Sequence, residues 1–341
     1  MLDYVYNESF DWARMFLPAA INEFDSRKAG IAACLARDSY YNDSRHAETL
    51  QALGFDDAQL FHDNHLQTLI GCRNIKTPDE NMSLITIVFR GSDEIQDWLH
   101  NLDFRMNHFL NAVLFPHLRR LKVHHGILNN VYDFEKKAEQ VVFKNNLVKG
   151  NLIQILKDEI RKRHCFFWII GHSLGGAMAT LFAARLYDFY GISPGRILTH
   201  TFGAPPIGNM YFAARYGHKG AIIIKPTKIK NLLALFRFVN TEDPIPAPRF
   251  IDEASEKAEG GSITQPPYQL LGLRHVGQEV RFSPRLLPDF YEKYQNFTGR
   301  RYNSSSFMKV HFMEAYITGI DVYKDAELAF KTAKKRIIMR R

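Results

Sequence analysis

Runs of apolar residues divide the chain into alternating strands and helices. Stretches with helical spacing lie at 152–163 and 177–190. Short runs rich in β-branched and aromatic residues predict strands on either side of them, at 84–89, 166–170, 197–202 and 235–239. Strands that are apolar on both faces and alternate with helices are typical of a mostly parallel sheet covered on both sides. The pattern therefore predicts an α/β fold. Residues 9–41 also have helical spacing, with Pro18 as a break, and predict one or two supporting helices.

Composition and targeting signals narrow the class of protein. Of the 341 residues 46% are hydrophobic, so the chain can bury a packed core and is not intrinsically disordered. The 3 cysteines, Cys34, Cys72 and Cys165, form no CxxC pair, which argues against a disulfide scaffold or a zinc ribbon. No apolar run approaches the roughly 18–20 residues of a transmembrane helix, and acidic residues occupy the place of a secretory n-region. We expect a cytoplasmic protein or one peripheral to a membrane, with non-classical secretion left open.

Positive charge is concentrated in the later part of the chain. Residues 1–90 carry 8 basic and 13 acidic side chains, whereas residues 91–341 carry 36 and 23, and the net charge of the whole chain is +8. Such a balance suits nucleic acid or an anionic membrane as a partner. The chain contains no basic-aromatic module or phosphate loop of a known type, so nucleic acid is not expected.

A Gly-x-Ser-x-Gly motif lies where a predicted strand passes into a predicted helix. The sequence Gly171-His-Ser-Leu-Gly-Gly176 directly follows the strand 166–170. Its glycines allow a sharp turn that presents Ser173 at the carboxyl edge of the sheet, where the functional groups of such sheets gather. The helix N-terminus behind the serine offers backbone N–H groups to a developing oxyanion. This context predicts a nucleophilic serine.

A nucleophilic serine needs a histidine base that is held by a carboxylate. In strand–turn–helix hydrolases the chain order is serine, acid, histidine. Asp243 is the best acid because it follows a predicted strand and precedes a proline, and Glu242 and Asp252 are weaker alternatives. Only His275 and His311 lie beyond Asp243, and the residues alone do not separate them.

Beyond the Gly-x-Ser-x-Gly motif, the order of several motifs resembles the fungal-type (class 3) triacylglycerol lipase family of α/β-hydrolases. The motifs span about residues 83–320 and are Val88-Phe-Arg-Gly-Ser92, Asp97-Trp98 with Asn101-Leu102, Val123-His-His-Gly126, Gly171-His-Ser-Leu-Gly-Gly176, Thr201-Phe-Gly-Ala-Pro205 with Gly208-Asn209, Asn240-Thr-Glu-Asp-Pro-Ile-Pro246, His275-Val-Gly-Gln-Glu279 and His311-Phe-Met-Glu-Ala-Tyr316. The resemblance implies an α/β-hydrolase fold with a mostly parallel central sheet, helices on both faces and a lid. It implies no cofactor and no metal.

The resemblance also implies a role for each matching residue. Ser173 is then the nucleophile, Asp243 the orienting acid and His311 the base, because the catalytic histidine of the family opens the last helix. The oxyanion hole would use the backbone N–H of Leu174 and that of Ser92, whose hydroxyl the family also employs.

Three departures from the family pattern bear on substrate choice more than on activity. Pro206 lies where the family often has Arg, Ile127 where an aromatic residue is common, and Val310 where Asp is frequent.

The pair His124 and His125 is not expected to hold a metal, because adjacent residues on a strand point to opposite faces.

The resemblance places a lid at residues 92–102. Ile95, Trp98 and Leu99 share helical spacing with Leu102 and form an apolar stripe that would cover the site in water and face lipid when open. A helix that packs permanently on the core would have the same spacing.

Two further segments combine apolar and basic side chains. The first segment is residues 106–123. The second is Lys331–Arg341, which has 6 basic and no acidic side chains. Both suit an anionic membrane or lipid-droplet surface, although a solvated helix end would explain the second equally well.

These observations predict a serine ester hydrolase that cleaves acyl-lipid carboxylic esters, as a triacylglycerol lipase does. The alternatives are a phospholipase A1, a general carboxylesterase, or a catalytically silent lipid-binding protein of the same fold. We predict an N-terminal helical support segment over 1–82, a class 3 lipase catalytic domain over 83–320 and a basic C-terminal helix or tail over 321–341, and we make no prediction of an oligomeric state.

Overall fold

Strands and helices alternate through most of the chain. The computed structural model describes residues 10–16, 21–41, 45–63, 66–76, 80–92, 105–145, 147–216, 233–246, 272–287, 289–303 and 310–322. The strands in these ranges are β1 (Gln59–Asp63), β2 (Leu66–Lys76), β3 (Asn81–Phe89), β4 (Met106–His108), β5 (Lys122–His124), β6 (Val142–Phe143), β7 (Gly150–Asn151), β8 (Cys165–His172), β9 (Ile197–Phe202), β10 (Ala234–Asn240) and β11 (Gln278–Phe282). The α-helices are α1 (Trp12–Met15), α2 (Ser26–Asp38), α3 (Arg45–Ala52), α4 (His125–Lys137), α5 (Leu152–Lys157), α6 (Leu174–Asp188), α7 (Met210–Tyr216), α8 (Phe290–Thr298) and α9 (313–322).

One sheet of 7 strands, in the order β1-β2-β3-β8-β9-β10-β11, forms the centre of the described structure. The two pairs β1–β2 and β2–β3 are antiparallel. Every pair from β3 to β11 is parallel. The parallel strands lie side by side in the same order as in the sequence, because each crossover connection adds its strand next to the previous one in the sheet.

Alternate residues of the central strands face two separate hydrophobic clusters. On β3, Leu84 and Val88 belong to one cluster, whereas Ile85 and Ile87 belong to the other. This period of 2 places both faces of the sheet inside the protein, as the continuous apolar runs predict. Helices α4, α5, α6 and α7 cover one face, and α1, α2, α3, α8 and α9 cover the other. The mostly parallel sheet with helices on both faces is thus confirmed.

The predicted elements differ from the observed ones in two places. The helix predicted over 152–163 ends at Lys157, because the carboxylate of Asp158 accepts the N–H groups of Ile160 and Arg161 and starts a 3₁₀ turn. The N-terminal segment contains the expected helices α1 and α2, but it also supplies β1 and β2 to the central sheet, which the apolar pattern did not predict.

The carboxyl ends of β3, β8, β9 and β10 lie at one edge of the sheet, since these strands are parallel. Phe89, His172, Phe202 and Asn240 are their last residues. This edge therefore receives the predicted nucleophile and the predicted acid. Within the part of the chain that the structure describes, none of the helices combines the length and apolar character needed to cross a membrane.

Candidate active site

Ser173 occupies a strained turn between β8 and α6. Its φ is 56° and its ψ is −127°, a region that side-chain-bearing residues rarely adopt. The backbone N–H of Ser173 donates to the carbonyl of Phe202 at 2.9 Å, which fixes the turn to the end of β9. Conformations of this kind cost about 1–3 kcal/mol and persist where the surrounding structure enforces them.

Two glycines make the turn possible by close backbone approach. A Cβ on Gly171 would lie 2.6 Å from the backbone nitrogen of Gly176, and a Cβ on Gly175 would lie 2.6 Å from the carbonyl oxygen of Arg90. Neither obstacle is a flexible side chain. The first turn of α6 therefore packs directly on the ends of β8 and β3, as the motif predicts.

Asp243 and His311 form a fully buried pair. Asp243 Oδ2 accepts from His311 Nδ1 at 2.7 Å, and the exposed fraction of both side chains is 0%. The same oxygen accepts from the Tyr316 hydroxyl at 2.6 Å, while Asp243 Oδ1 accepts from the backbone N–H of Ile245 at 2.9 Å. Burial, and then the neighbouring carboxylate, raise the pKa of Tyr316 well above 10.0, so this hydroxyl keeps its proton and donates it.

His311 is held beside the Ser173 turn by two side chains. Asn240 Nδ2 donates to the carbonyl of Val310 at 2.9 Å. His172 Nε2 lies 2.8 Å from the carbonyl oxygen of His311 itself, and the two imidazole rings are 4.7 Å apart between centroids. Because His172 precedes Ser173 in the chain, these contacts place His311 beside the residue that adjoins the predicted nucleophile.

The hydroxyl of Ser173 is buried and makes no hydrogen bond within the described residues. With Nδ1–H of His311 directed at Asp243, the remaining ring nitrogen of a neutral imidazole is a proton acceptor. A serine hydroxyl, an imidazole and a buried carboxylate in this order can perform nucleophilic acyl transfer.

Groups suited to an oxyanion surround the same turn. Leu174 is the first residue of α6, so its N–H lies at the positive end of a helix of 15 residues. Gly91 packs against the turn, since a Cβ on it would lie 3.0 Å from Ser173 Cβ. Ser92, the other predicted donor, follows Gly91 directly in the chain.

The alternative acids and bases have other contacts. His275 Nε2 lies 2.8 Å from the carbonyl of Pro246, and burial lowers its pKa well below 6.5. Glu242 accepts from Arg285 Nε at 2.9 Å. The structure thus brings His311 to Asp243, and Asp252 lies outside the described residues.

The remaining predictions concern the lid and metal binding. Ile95, Trp98 and Leu99 lie outside the described residues. The strand geometry predicted for the histidine pair is wrong, because β5 ends at His124 and α4 begins at His125, with the His124 ring accepting the Ile127 N–H at 3.4 Å. The described residues contain no cluster of histidine, cysteine and carboxylate side chains that could hold a metal ion.

Sequence reasoning assigned no role to several residues that contact the site. They are Tyr40, His172, Asn240 and Tyr316. Three of them lie inside motifs that are quoted above, so their positions were visible although their contacts were not. Tyr40 lies in the N-terminal segment, and no local signal marks it.

Comparison with known proteins relates this chain to lipases. The profile of the family described as lipase (class 3) matches residues 86–252. A lipase from Rhizomucor miehei is 31% identical over 131 residues, which are 38% of this chain and only 31% of that protein's length. The solved structure of Rhizomucor miehei triacylglyceride lipase aligns over 74% of this chain and 78% of its own, with a TM-score of 0.46 and 21% identity. The structure of lipase II from Rhizopus niveus aligns over 75% of this chain and 80% of its own, with a TM-score of 0.46 and 19% identity.

Proposed function

We propose that the protein hydrolyses carboxylic esters of acyl lipids, because residues 86–252 match the profile of the class 3 lipase family. The observation that supports this most is the buried hydrogen bond of 2.7 Å between His311 and Asp243, next to a serine on a strained strand–turn–helix. We assign Ser173 as nucleophile, His311 as base and Asp243 as the acid that orients the base.

The proposed reaction has two halves. Ser173 Oγ attacks the ester carbonyl while His311 Nε2 takes the hydroxyl proton, and the resulting imidazolium is stabilised by Asp243. The imidazolium then gives this proton to the departing alcohol, which leaves an acyl-serine. Water attacks the acyl-serine with His311 again as base, and the fatty acid and the free serine are released.

The oxyanion of each tetrahedral intermediate would be bound by the N–H groups of Leu174 and Ser92. The closeness of Gly91 to the Ser173 turn supports this assignment. Removal of one such donor costs roughly 2.7–4 kcal/mol of transition-state stabilisation in hydrolases of this chemistry.

Ser173 and His311 both have an exposed fraction of 0%, so a substrate reaches them only after part of the surrounding structure moves. This closure supports a lid as the sequence predicts, with Ile95, Trp98 and Leu99 as its apolar stripe. A lid that opens at an interface favours water-insoluble esters over small soluble ones.

A test compares p-nitrophenyl esters of increasing acyl length. We expect turnover that falls by about 10⁴-fold or more in Ser173→Ala and in His311→Ala, because each variant removes a group that moves in the transition state. His275→Ala is the matched control and should keep most of the activity. Equal rates of wild type and Ser173→Ala would disprove the proposal, and loss in His275→Ala alone would disprove the assigned base.

Each alternative function predicts a different experimental result. A phospholipase A1 would prefer anionic phospholipids over triacylglycerol, and a general carboxylesterase would show no preference for long acyl chains. A catalytically silent lipid-binding protein would leave Ser173 unlabelled by a fluorophosphonate. We expect labelling of Ser173 in the wild type and none in Ser173→Ala.

We further propose that the enzyme works at an anionic bilayer, peripheral to the membrane. A basic apolar surface supports this, and we define it by Val113, Leu114, Arg119, Arg120 and Tyr211. The exposed fractions of Val113 and Leu114 are 86% and 71%. The side chain of Asn111 accepts both of their backbone N–H groups, at 2.9 and 3.3 Å, so the turn holds two apolar side chains outward.

Charge complementarity supports an anionic lipid surface as the partner of the basic apolar surface. The Arg120 guanidinium lies 5.6 Å from the centre of the Tyr211 ring, which joins the two chain segments that form it. Neither residues 104–132 nor residues 189–241 contain a single aspartate or glutamate. Basic side chains near an anionic leaflet contribute about 1 kcal/mol each, and exposed apolar side chains insert beside them.

Vesicle sedimentation tests this surface. We expect Arg119→Glu with Arg120→Glu to weaken binding to vesicles of phosphatidylcholine and phosphatidylglycerol by at least about tenfold, because two attractive charges become repulsive. Val113→Ser with Leu114→Ser should also weaken it. The matched control, Leu286→Ser with Ile160→Ser, changes residues that are 82% and 74% exposed elsewhere and should bind as the wild type. Equal binding to pure phosphatidylcholine, or no effect of either pair, would contradict the proposal.

A further inference from the structure

Three residues from distant parts of the chain form a hydrogen-bonded series that ends at His311. The hydroxyl of Tyr40 lies 2.7 Å from His172 Nδ1, and His172 Nε2 lies 2.8 Å from the carbonyl oxygen of His311. Tyr40 and His172 are 132 positions apart, and His172 and His311 are 139 apart. The series therefore exists only in the folded protein.

The chemistry of the acceptors fixes every proton in this series. A carbonyl oxygen can only accept, so His172 must carry its proton on Nε2. Burial and the neighbouring His311 lower the pKa of His172 well below 6.5, so the ring is neutral and Nδ1 is an acceptor. The Tyr40 hydroxyl is then the donor to Nδ1, and it selects the tautomer that can hold His311.

Tyr40 is itself fixed against the turn that carries Ser173. The Arg90 guanidinium lies 5.2 Å from the centre of the Tyr40 ring. A Cβ on Gly91 would overlap the Tyr40 hydroxyl and would lie 2.8 Å from the carbonyl of His172, so these groups are in close contact. Tyr40 lies two residues after the end of α2 and before residue 86, where the match to the lipase family begins.

We propose that Tyr40 and His172 are positioning residues that hold the backbone of His311 in place for proton transfer with Ser173. This inference rests on the proposed function and adds to it a requirement for the N-terminal segment. Tyr40 acts through His172, and His172 acts on the carbonyl of the base and not on the substrate.

The physical reason lies in the small tolerance of proton transfer for misplacement. A general base must stay within hydrogen-bond reach of the proton that it takes, and a shift of about 1 Å can cost 10²-fold in rate. Asp243 restrains the His311 ring at Nδ1, and Asn240 restrains the preceding carbonyl. The His172 contact restrains the backbone carbonyl of His311 itself.

A double-mutant cycle tests the proposal. Tyr40→Phe keeps the ring and removes only the donor, and we expect kcat for a soluble p-nitrophenyl ester to fall about five- to twentyfold while KM changes less than twofold. His172→Leu should lower kcat further, and Tyr40→Phe should have no added effect in that background, because the proposed connection through His172 is gone. His172→Gln, whose amide can still donate to the His311 carbonyl, should recover part of the loss.

A second measurement does not depend on turnover. The ¹⁵N chemical shifts of the His172 ring should report a proton on Nε2 and none on Nδ1 between pH 5 and 8 in the wild type. If the wild type hydrolyses no ester, the proposed function fails while this tautomer can still be observed. A proton on Nδ1 would overturn the inference, and so would an unchanged kcat in Tyr40→Phe or additive effects of the two substitutions in an active enzyme.

Tyr132→Phe is the matched control for the loss of a tyrosine hydroxyl. The Tyr132 ring packs on Arg185, whose guanidinium lies 4.7 Å from its centre, and it belongs to the helix layer on the other face of the sheet. We expect kcat and KM of this variant to equal those of the wild type. Thermal midpoints of all variants show whether a loss of kcat follows from unfolding.

Discussion

At the scale of single residues, the carboxylate of Asp243 receives three hydrogen bonds. The donors are the ring of His311, the hydroxyl of Tyr316 and the backbone N–H of Ile245. A buried carboxylate is tolerated only when such donors replace the water that it has lost. The Tyr316 hydroxyl and the His311 ring both donate to Asp243 Oδ2, so the tyrosine helps to fix the carboxylate in the position that His311 requires.

Tyr316→Phe should therefore reduce both stability and turnover. Hydrogen bonds to charged groups contribute about 1.5–3 kcal/mol, and we expect a loss of this size in the free energy of unfolding. We also expect kcat to fall several-fold, because the carboxylate that orients His311 is less restrained. Urea unfolding and ester turnover measure the two effects.

Tyr294→Phe serves as the control for this substitution. Tyr294 is buried and packs on Phe290 and Tyr302. Its loss of a hydroxyl should leave kcat unchanged. If Tyr316→Phe has the same kcat as this control, its hydroxyl does not orient Asp243 for catalysis.

Much of the candidate site could be predicted from single residues, but its supports could not. The order of Ser173, Asp243 and His311 follows from local motifs and from one rule of chain order. The partners of these residues follow from no local rule, since Tyr316 is 73 positions from Asp243 and Tyr40 is 132 positions from His172. Only the folded sheet edge brings them together.

At the scale of elements, the contact between α6 and the ends of the strands limits what the Ser173 turn can tolerate. Gly175 lies in the first turn of α6 and packs against backbone carbonyls of Phe89 and Arg90. Backbone atoms cannot move aside as a side chain can. A methyl group at this position would therefore push α6 away from β3.

Gly175→Ala should lower the thermal midpoint sharply and abolish fluorophosphonate labelling of Ser173. Overpacking in a close-packed interior typically costs about 1–3 kcal/mol, and a clash with backbone is at the upper end. Gly30→Ala is the matched control, because Gly30 also lies inside a helix but nothing lies within 4 Å of its Cβ position. The free energy of unfolding of Gly30→Ala should equal that of the wild type or exceed it by up to about 1 kcal/mol. Similar midpoints for the two variants would contradict the expectation.

The elements that the apolar pattern predicted are those buried on both faces. Strands β3, β8, β9 and β10 have continuous apolar runs, and each of them was found. Strand β2 was missed because polar residues interrupt its run. Gln67 and Asn74 are satisfied by tertiary partners instead, the carbonyl of Ser39 and the amide of Asn145. Such partners cannot be recognised before the fold is known.

At the scale of the whole molecule, burial holds three histidines of the described residues without charge, namely His172, His200 and His275. Burial lowers the pKa of His172 well below 6.5 and that of His200 to about 3. His200 accepts from Trp168 Nε1 at 3.0 Å and stacks on Phe236, so it lies deep in the cluster on the α2 face. In the unfolded chain all three rings would take a proton near pH 6.5.

The stability of the protein should therefore fall in mild acid. Below about pH 6.5 the unfolded state binds protons that the folded state does not, so the free energy of unfolding decreases as the pH is lowered toward the folded-state pKa values. Each histidine contributes up to about 1.4 kcal/mol per pH unit in this window and nothing above it. Urea unfolding at several pH values between 5 and 8 measures the slope.

His200→Gln should reduce this slope, because it removes one of the three histidines that take up a proton only on unfolding. His117→Gln, at an exposed position, should leave the slope as it is in the wild type. A free energy of unfolding that stays constant from pH 8 to pH 5 would contradict the prediction.

The cluster on the α2 face combines early and late parts of the chain, since α1, α2 and α9 all contribute to it. Its strands are added in the order in which a ribosome makes them, but α9 and His311 come after every strand of the sheet. At about 5–20 residues per second, the 68 residues from Asp243 to His311 take on the order of 3–14 s to synthesise. During that time a nascent chain has the serine and the acid but no base. Under the proposed function, hydrolysis thus begins only after His311 has been synthesised, and a chain that stops before this residue cannot cleave the lipids around it.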